Sequence, residues 1–249
     1  MWLDIKLLWR DWRGGQLSLI ISSLILAVTV VTAVSLLADR IERGLSDQVS
    51  AFLAADIAVR SGIDLTPEFA EKASELGLEQ AKTATFVSML FSADPTSEVS
   101  HLAAIKAVQP TYPLRGLVEV VDSFEDQTVQ FRESGPAIGE VWVEPRLLSI
   151  LDLEVGDPLE VGFAVFTITK LIANEPDRGT GFTSAGARVM MHYDDLESTG
   201  LIRPGSRVNN RLLLAGDIDA LDAYQAWFEE QDQQSAGQQS HYRLETAEG

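Results

Sequence analysis

The chain contains no cysteine, so no disulfide framework or thiolate metal site holds it together, and stability rests on burial and backbone pairing. Basic residues are scarce: 19 Lys and Arg stand against 37 Asp and Glu, a formal net charge of −18. Such a field repels phosphate backbones and excludes nucleic acid as a partner. The same excess also fits a saline habitat, where acidic surfaces aid solubility. Histidine occurs three times, and His101, His192 and His241 lie in different segments without HxH or HxxxH spacing, so no metal site is expected. No Walker A sequence is present, so any ATP hydrolysis belongs to a separate subunit. In Gly181-Phe182-Thr183-Ser184-Ala185-Gly186, Phe182 stands where a GxSxG elbow needs glycine. Gly179-Thr180-Gly181 leads to Ser184 in place of the third glycine of GxGxxG. The paired carboxylates Asp194-Asp195 and Glu229-Glu230 point apart if helical and read as solvated faces. Neither a catalytic centre nor a cofactor is expected.

Hydrophobic residues make up 46% of the 249, enough for a sizeable core in one or two domains. From Gly14 to Ala38 there is no charge over 25 residues, about 37 Å as a helix against a hydrocarbon core of about 30 Å. A signal peptide would have a shorter apolar region and a small-x-small end; this run ends Ser35-Leu36-Leu37-Ala38-Asp39, so a retained transmembrane helix over 14–38 is expected. Before it, Lys6, Arg10 and Arg13 alternate with Trp2, Trp9 and Trp12. Cationic tips and indoles collect at one membrane interface, which places the N-terminus in the cytoplasm, and residues 1–13 are expected to lie on the bilayer as an amphipathic segment. Ser18, Ser22, Thr29, Thr32 and Ala33 fall on one helix face at 100° per residue. That face either packs on another helix or has hydroxyls bonded to their own preceding turn.

Beyond residue 38 the chain carries 16 basic and 35 acidic residues, so the exterior holds the acidity. Ile41, Leu45, Val49, Phe52 and Leu53 keep helical spacing and predict a stalk helix over 39–55. A strand over Asp56–Arg60 follows, then a helix opened by Thr66-Pro67-Glu68 and ended by Gly77. Thr83–Phe91 and Val99–Val108 read as a hairpin, completing a β-α-β-β unit. Residues 112–199 alternate short strands, among them Ile138–Val143 and Phe163–Ile172, with Gly, Pro and Asp, and read as an inserted mostly-β subdomain. Arg207–Leu214 predicts a strand, Ile218–Phe228 a helix with Leu221, Tyr224, Trp227 and Phe228 inward, and His241–Leu244 a last strand. Gln231–Gln239 reads as a polar linker. The class is α+β, with 56–111 and 200–249 forming one α/β subdomain.

Several segments together resemble the MacB/FtsX/LolE superfamily of ABC-transporter permeases, especially the branch associated with a lysophospholipase- or arylesterase-like protein. They are Trp9-Arg10-Asp11-Trp12-Arg13, Asp39-Arg40-Ile41-Glu42-Arg43-Gly44-Leu45, Ala104-Ile105-Lys106-Ala107-Val108 and Tyr112-Pro113-Leu114-Arg115-Gly116. Glu144-Pro145-Arg146-Leu147-Leu148, Val155-Gly156-Asp157, Glu175-Pro176-Asp177-Arg178-Gly179, Arg188-Val189-Met190-Met191 and Leu201-Ile202-Arg203-Pro204-Gly205-Ser206-Arg207-Val208 complete the set. The resemblance implies a MacB-like periplasmic domain behind one transmembrane helix, in the bacterial inner membrane, with residues 39–249 periplasmic. It implies a non-enzymatic transport subunit that relays ATPase-driven motion toward export or extraction of a lipid-like or hydrophobic substrate. The partners it implies are an ABC ATPase, further transmembrane segments, the lipid bilayer and a periplasmic esterase or lysophospholipase. Glu175, Pro176, Asp177, Gly179, Pro204, Gly205 and Arg207 belong to its signature and are expected to be structural. A membrane-anchored extracytoplasmic sensor or binding domain is the alternative.

Overall fold

The computed structural model describes residues 21–37, 53–92, 99–126, 128–178, 186–203, 205–234 and 241–246. Met1–Asp47 and Gln48–Gly249 form two compact units. In the first, 21–37 is one helix, α1, whose Leu, Ile and Val side chains other than Ile21 are exposed. Its 17 residues span about 25 Å, less than the roughly 30 Å of a hydrocarbon core. Among the described residues no helix is long and apolar enough to cross a membrane, and the transmembrane helix expected over 14–38 is to that extent not supported. Its ends, the interfacial segment with Trp2, Lys6, Trp9, Arg10, Trp12 and Arg13, Ser18, and the stalk up to Phe52 lie outside the described residues.

The second unit is built on an eleven-stranded mixed sheet. Its elements are β1 (Ile57–Ser61), α2 (Pro67–Glu75), β2 (Glu79–Ser92), β3 (Ser100–Val108), β4 (Val118–Val121), β5 (Gln130–Arg132), β6 (Glu140–Val143) and α3 (Pro145–Leu151). They continue through β7 (Pro158–Val161), β8 (Ala164–Asn174), β9 (Ala187–His192), two 3-10 turns, β10 (Asn209–Ala215), α4 (Ile218–Gln234) and β11 (Tyr242–Thr246). The spatial order is β11-β1-β10-β2-β3-β9-β6-β8-β4-β5, and β7 bridges β2 and β8. The pairings β2-β3-β9-β6-β8-β7 thereby close on themselves, except that Phe86–Met89 of β2, between its pairings with β10 and β7, lack a strand on that side. The β3–β9 and β6–β8 pairs are parallel and the remaining pairs antiparallel.

Strand alternation divides the residues between faces. Phe86, Leu90, Ile105, Val141, Val143, Phe166, Ile168, Val189 and Met191 fill one core inside the closed ring, joined by Leu147, Leu148 and Leu151 of α3. On the wing formed by β10, β1 and β11, the helices α2 and α4 cover Ile57, Val59, Leu212 and Leu214 with Phe69, Leu221, Tyr224 and Phe228. The opposite face carries Ala58, Ala81, Val108, Trp142, Met190 and Leu213, overlain by Tyr112, Val118 and Val120.

The β-α-β-β order and the return of the C-terminal strand to β1 agree with the sequence pattern. Thr66 precedes α2 in extended conformation with Pro67 in the first turn, but its side chain makes no capping bond. Helix α4 continues through Gln234, so the first four residues of the expected linker Gln231–Gln239 are helical. Strands from 112–199 pair directly with β2 and β3 within the one sheet.

Candidate functional site

Three charged residues occupy strand positions on the sheet face away from the ring interior: Lys106 on β3, Arg188 on β9 and Arg211 on β10. In register, Lys106 pairs with Thr85 and Met190, and Arg188 with Ala104. The loop after β8 lowers two carboxylates onto this face. Glu175 Oε1 accepts from Arg188 Nε at 2.6 Å, and Glu175 Oε2 lies 3.5 Å from Lys106 Nζ. Asp177 Oδ1 is hydrogen-bonded by both Lys106 Nζ and the Tyr112 hydroxyl, while Asp177 Oδ2 accepts from Arg211 Nη1 at 3.1 Å. Lys106 Nζ is 2.7 Å from the Tyr112 hydroxyl and 4.4 Å from its ring centroid. The Lys106, Glu175, Asp177 and Arg188 side chains are 3%, 0%, 2% and 4% exposed, so the network is sealed from bulk water.

Burial alone would raise the Asp177 carboxyl; attraction to Lys106 and Arg211, with the bonds from Lys106 and Tyr112, holds it below the ordinary carboxylate value. Burial, then the Asp177 and Glu175 charges, push the Tyr112 hydroxyl well above its ordinary value. Lys106, Arg188 and Arg211 face two carboxylates, and Arg211 Nη2 reaches a third, Glu245, at 2.8 Å. Arg188 Nη1 and Arg211 Nε are buried without a hydrogen-bond partner.

The network branches outward. Glu144, at the start of α3, accepts from Arg178 at 2.9 Å and Arg146 at 2.8 Å and receives the Arg188 amide at 3.1 Å. On the other side, the segment carrying Tyr112 is tied to the start of the domain: the Leu114 and Arg115 amides donate to the Ala54 carbonyl, both at 3.0 Å. Arg115 Nε and Nη2 fork onto Asp56 Oδ1 and Oδ2 at 2.9 and 2.7 Å, the bidentate geometry that guanidinium favours. Asp56 Oδ2 also takes the Gly216 amide at 3.1 Å.

Chemically this is a lock. Its carboxylates are matched to cations and its one hydroxyl, Tyr112, is held protonated. Replacement of one member of such a set costs more than the set itself contributes. Among the described residues no group of His, Asp and Glu gathers as metal ligands. His192 is buried and accepts from the Asp194 amide.

Of the signature residues, Glu175 and Asp177 are central to the network and Pro176 between them is half-buried. Gly205 has φ +91° and Arg207 is exposed on the loop before β10, away from the network. Gly179, Pro204 and the Ser184 loop lie outside the described residues, while Ser22, Thr29, Thr32 and Ala33 are exposed on α1. Pattern reading did not assign Lys106, Tyr112, Arg188 or Arg211 to a site. The available signal was a cation inside an otherwise apolar strand, as in Ala103-Ala104-Ile105-Lys106-Ala107-Val108.

No protein-family model matches the chain. A curated relative, the uncharacterized ABC transporter permease YbbP of Escherichia coli (strain K12), is 35% identical over 243 residues, covering 97% of this chain and 28% of its own length. Among solved structures, the periplasmic region of MacB from Actinobacillus actinomycetemcomitans overlaps 80% of this chain and 92% of its own, with 10% identity and TM-score 0.47. The extracellular domain of the ABC-type transporter YknZ from Gram-positive bacteria overlaps 76% and 100%, with 11% identity and TM-score 0.46. Over nearly all of its length, then, this chain is related in sequence to an ABC transporter permease, of which it spans 28%.

Proposed function

We propose that the chain is the N-terminal part of an ABC-transporter permease whose domain over 53–246 lies outside the cytoplasm and relays motion driven by a separate ATPase. The observation that carries this reading is the 35% identity across 97% of the chain to a curated ABC transporter permease. The uncharged run over 14–38 is the membrane-anchoring element in this reading, supported by the exposed Leu, Ile and Val of α1. Ser22, Thr29, Thr32 and Ala33 would then offer a small-residue face to other membrane helices, and Trp2, Lys6, Trp9, Arg10, Trp12 and Arg13 would anchor the cytoplasmic interface. Movement entering at Leu53–Asp56 passes through the Asp56–Arg115 fork to the Tyr112 segment, and through Asp177 and Glu175 to the closed ring. A buried network suits that task because packed elements tied by several hydrogen bonds and ion pairs move together. The subunit itself is non-enzymatic; the cargo is a lipid-like or hydrophobic compound, with a periplasmic esterase or lysophospholipase as a further partner.

The test is affinity purification of the full-length permease from its native membranes. Co-purification of an ABC ATPase that hydrolyses ATP is expected. A permease recovered intact and without any ATPase would contradict the proposal and favour a membrane-anchored sensor.

A further inference from the structure

The strand β2 has two different neighbours along one edge. Residues Glu79–Thr85 pair with β10 and Leu90–Ser92 with β7, whereas β3 runs along the opposite edge from Thr83 to Phe91. Phe86–Met89 therefore have a strand on one side and none on the other. Four residues of strand correspond to about 13 Å of open edge. Here the chain that could have covered the gap runs past it. Phe163 N donates to the Thr199 carbonyl at 2.9 Å, and a Cβ on Gly162 (φ +64°) would meet that same carbonyl at 2.1 Å. The chain is thus pinned at the β7–β8 turn before it continues through Leu201–Val208 into β10. Among the described residues no backbone hydrogen bond joins this loop to Phe86–Met89.

Between loop and strand lies a groove of about 520 Å³, within the range of ligand sites. Phe86, Val87, Leu201, Ile202 and Val208 give it apolar walls, and Arg207 is its one charged residue. Arg207 is exposed, as is Arg203 four residues earlier; neither makes an ion pair among the described residues. In a chain of net charge −18, the groove beside the open strand edge thus carries one cation and no carboxylate, while Arg203 and Arg207 line an adjoining groove together with Asp64.

We propose that this gap is the docking site for an extended, acidic segment of a separate partner protein, which adds as a short strand against Phe86–Met89. Main-chain pairing supplies the affinity of such an addition and alternate side chains its selectivity. Residues facing the groove would be aliphatic, and a carboxylate would meet Arg207, with Arg203 drawing the segment in from solution. An acyl chain would use the apolar walls but not the open backbone edge, and the edge favours a peptide. The proposal stands on the geometry of the domain and does not depend on the transporter reading.

The experiment uses the whole 249-residue chain in a neutral detergent, with a pool of terminally blocked octapeptides that alternate Asp with Val, Ile or Thr. Amide hydrogen exchange at Phe86–Met89 is followed as peptide is added to about 1 mM, a range that detects weak docking. Slowing confined to Phe86–Met89 is expected, lost when alternate peptide amides are N-methylated and about tenfold weaker in affinity for Arg207→Glu. No slowing, or equal slowing with the N-methylated pool, would overturn the proposal. Equal slowing by dodecyl phosphate would assign the groove to an amphiphile. Amides already slow in the full-length permease without peptide would assign the gap to the protein's own chain; either result contradicts a partner strand.

Discussion

Lys106 shows how much a single side chain can carry. It sits among Asp177, Glu175 and Tyr112 with 3% of its side chain exposed, so Lys106→Met leaves two buried carboxylates short of a cation. Breaking one side of a buried pair costs about 3–5 kcal/mol, and chemical unfolding of the variant should show a loss of that order. Asp177 adds a pH dependence. Its folded pKa lies below the ordinary value near 3.8, so its contribution is present above that pH and is lost as pH falls through the depressed value. Asp177→Asn should therefore flatten the acid limb of a stability-versus-pH curve; an unchanged limb would show that other carboxylates set it. Of these residues the sequence singles out Glu175 and Asp177, as structural, while Lys106, Tyr112 and Arg188 lie in resembling segments without a role of their own. The others were hidden because strand alternation tells which side a residue faces, not which loop returns to cover that side. Lys106 and Asp177 are separated by 71 positions, and no local pattern joins them.

Elements with local signals were legible, and elements defined by distant partners were less so. Pro67 and Gly77 mark the ends of α2, and the alternation in 83–108 shows a hairpin whose strands pair as expected. The parallel pairing of β9 with β3 and the bridging of β2 to β8 by β7 have no sequence signature, because parallel and ring-closing contacts depend on tertiary packing. The same holds for α4, which runs into residues that read as a polar linker. Gln231 to Gln234 follow a turn already anchored by Tyr224 and Phe228, and helix propagation is easier than nucleation. On the wing, Phe69 of α2 meets Trp227 and Phe228 of α4 and Tyr242 of β11 at ring-centroid distances of 5.7, 6.0 and 4.7 Å, and the Tyr224 hydroxyl donates to its carbonyl at 3.2 Å. Phe69→Ala empties the centre of that cluster and should cost about 3–5 kcal/mol. Thermal unfolding reads the loss, and a change under 1 kcal/mol would mean that the helices do not share one core.

At the scale of the molecule, two connections define the domain over 53–246. One is the ring of strands around an apolar interior; the other is the charge network that fastens the ring to the wing and to the point where the chain enters at Leu53–Asp56. At the entry, Ala54 and Ala55 are buried, two amides donate to the Ala54 carbonyl, the Asp56 amide donates to the Leu214 carbonyl, and the Asp56 carboxylate takes the Gly216 amide and the fork of Arg115. If the domain relays motion, that fork is where force crosses, and its removal should separate assembly from coupling. The direct measurement is ATP turnover by the full-length permease with its ATPase, comparing the unaltered protein with Arg115→Ala and Arg115→Lys. The account predicts that all three assemble equally, that Arg115→Ala lowers turnover several-fold, and that Arg115→Lys, which keeps the charge but not the fork, falls between. Full turnover in Arg115→Ala at equal assembly would contradict the relay.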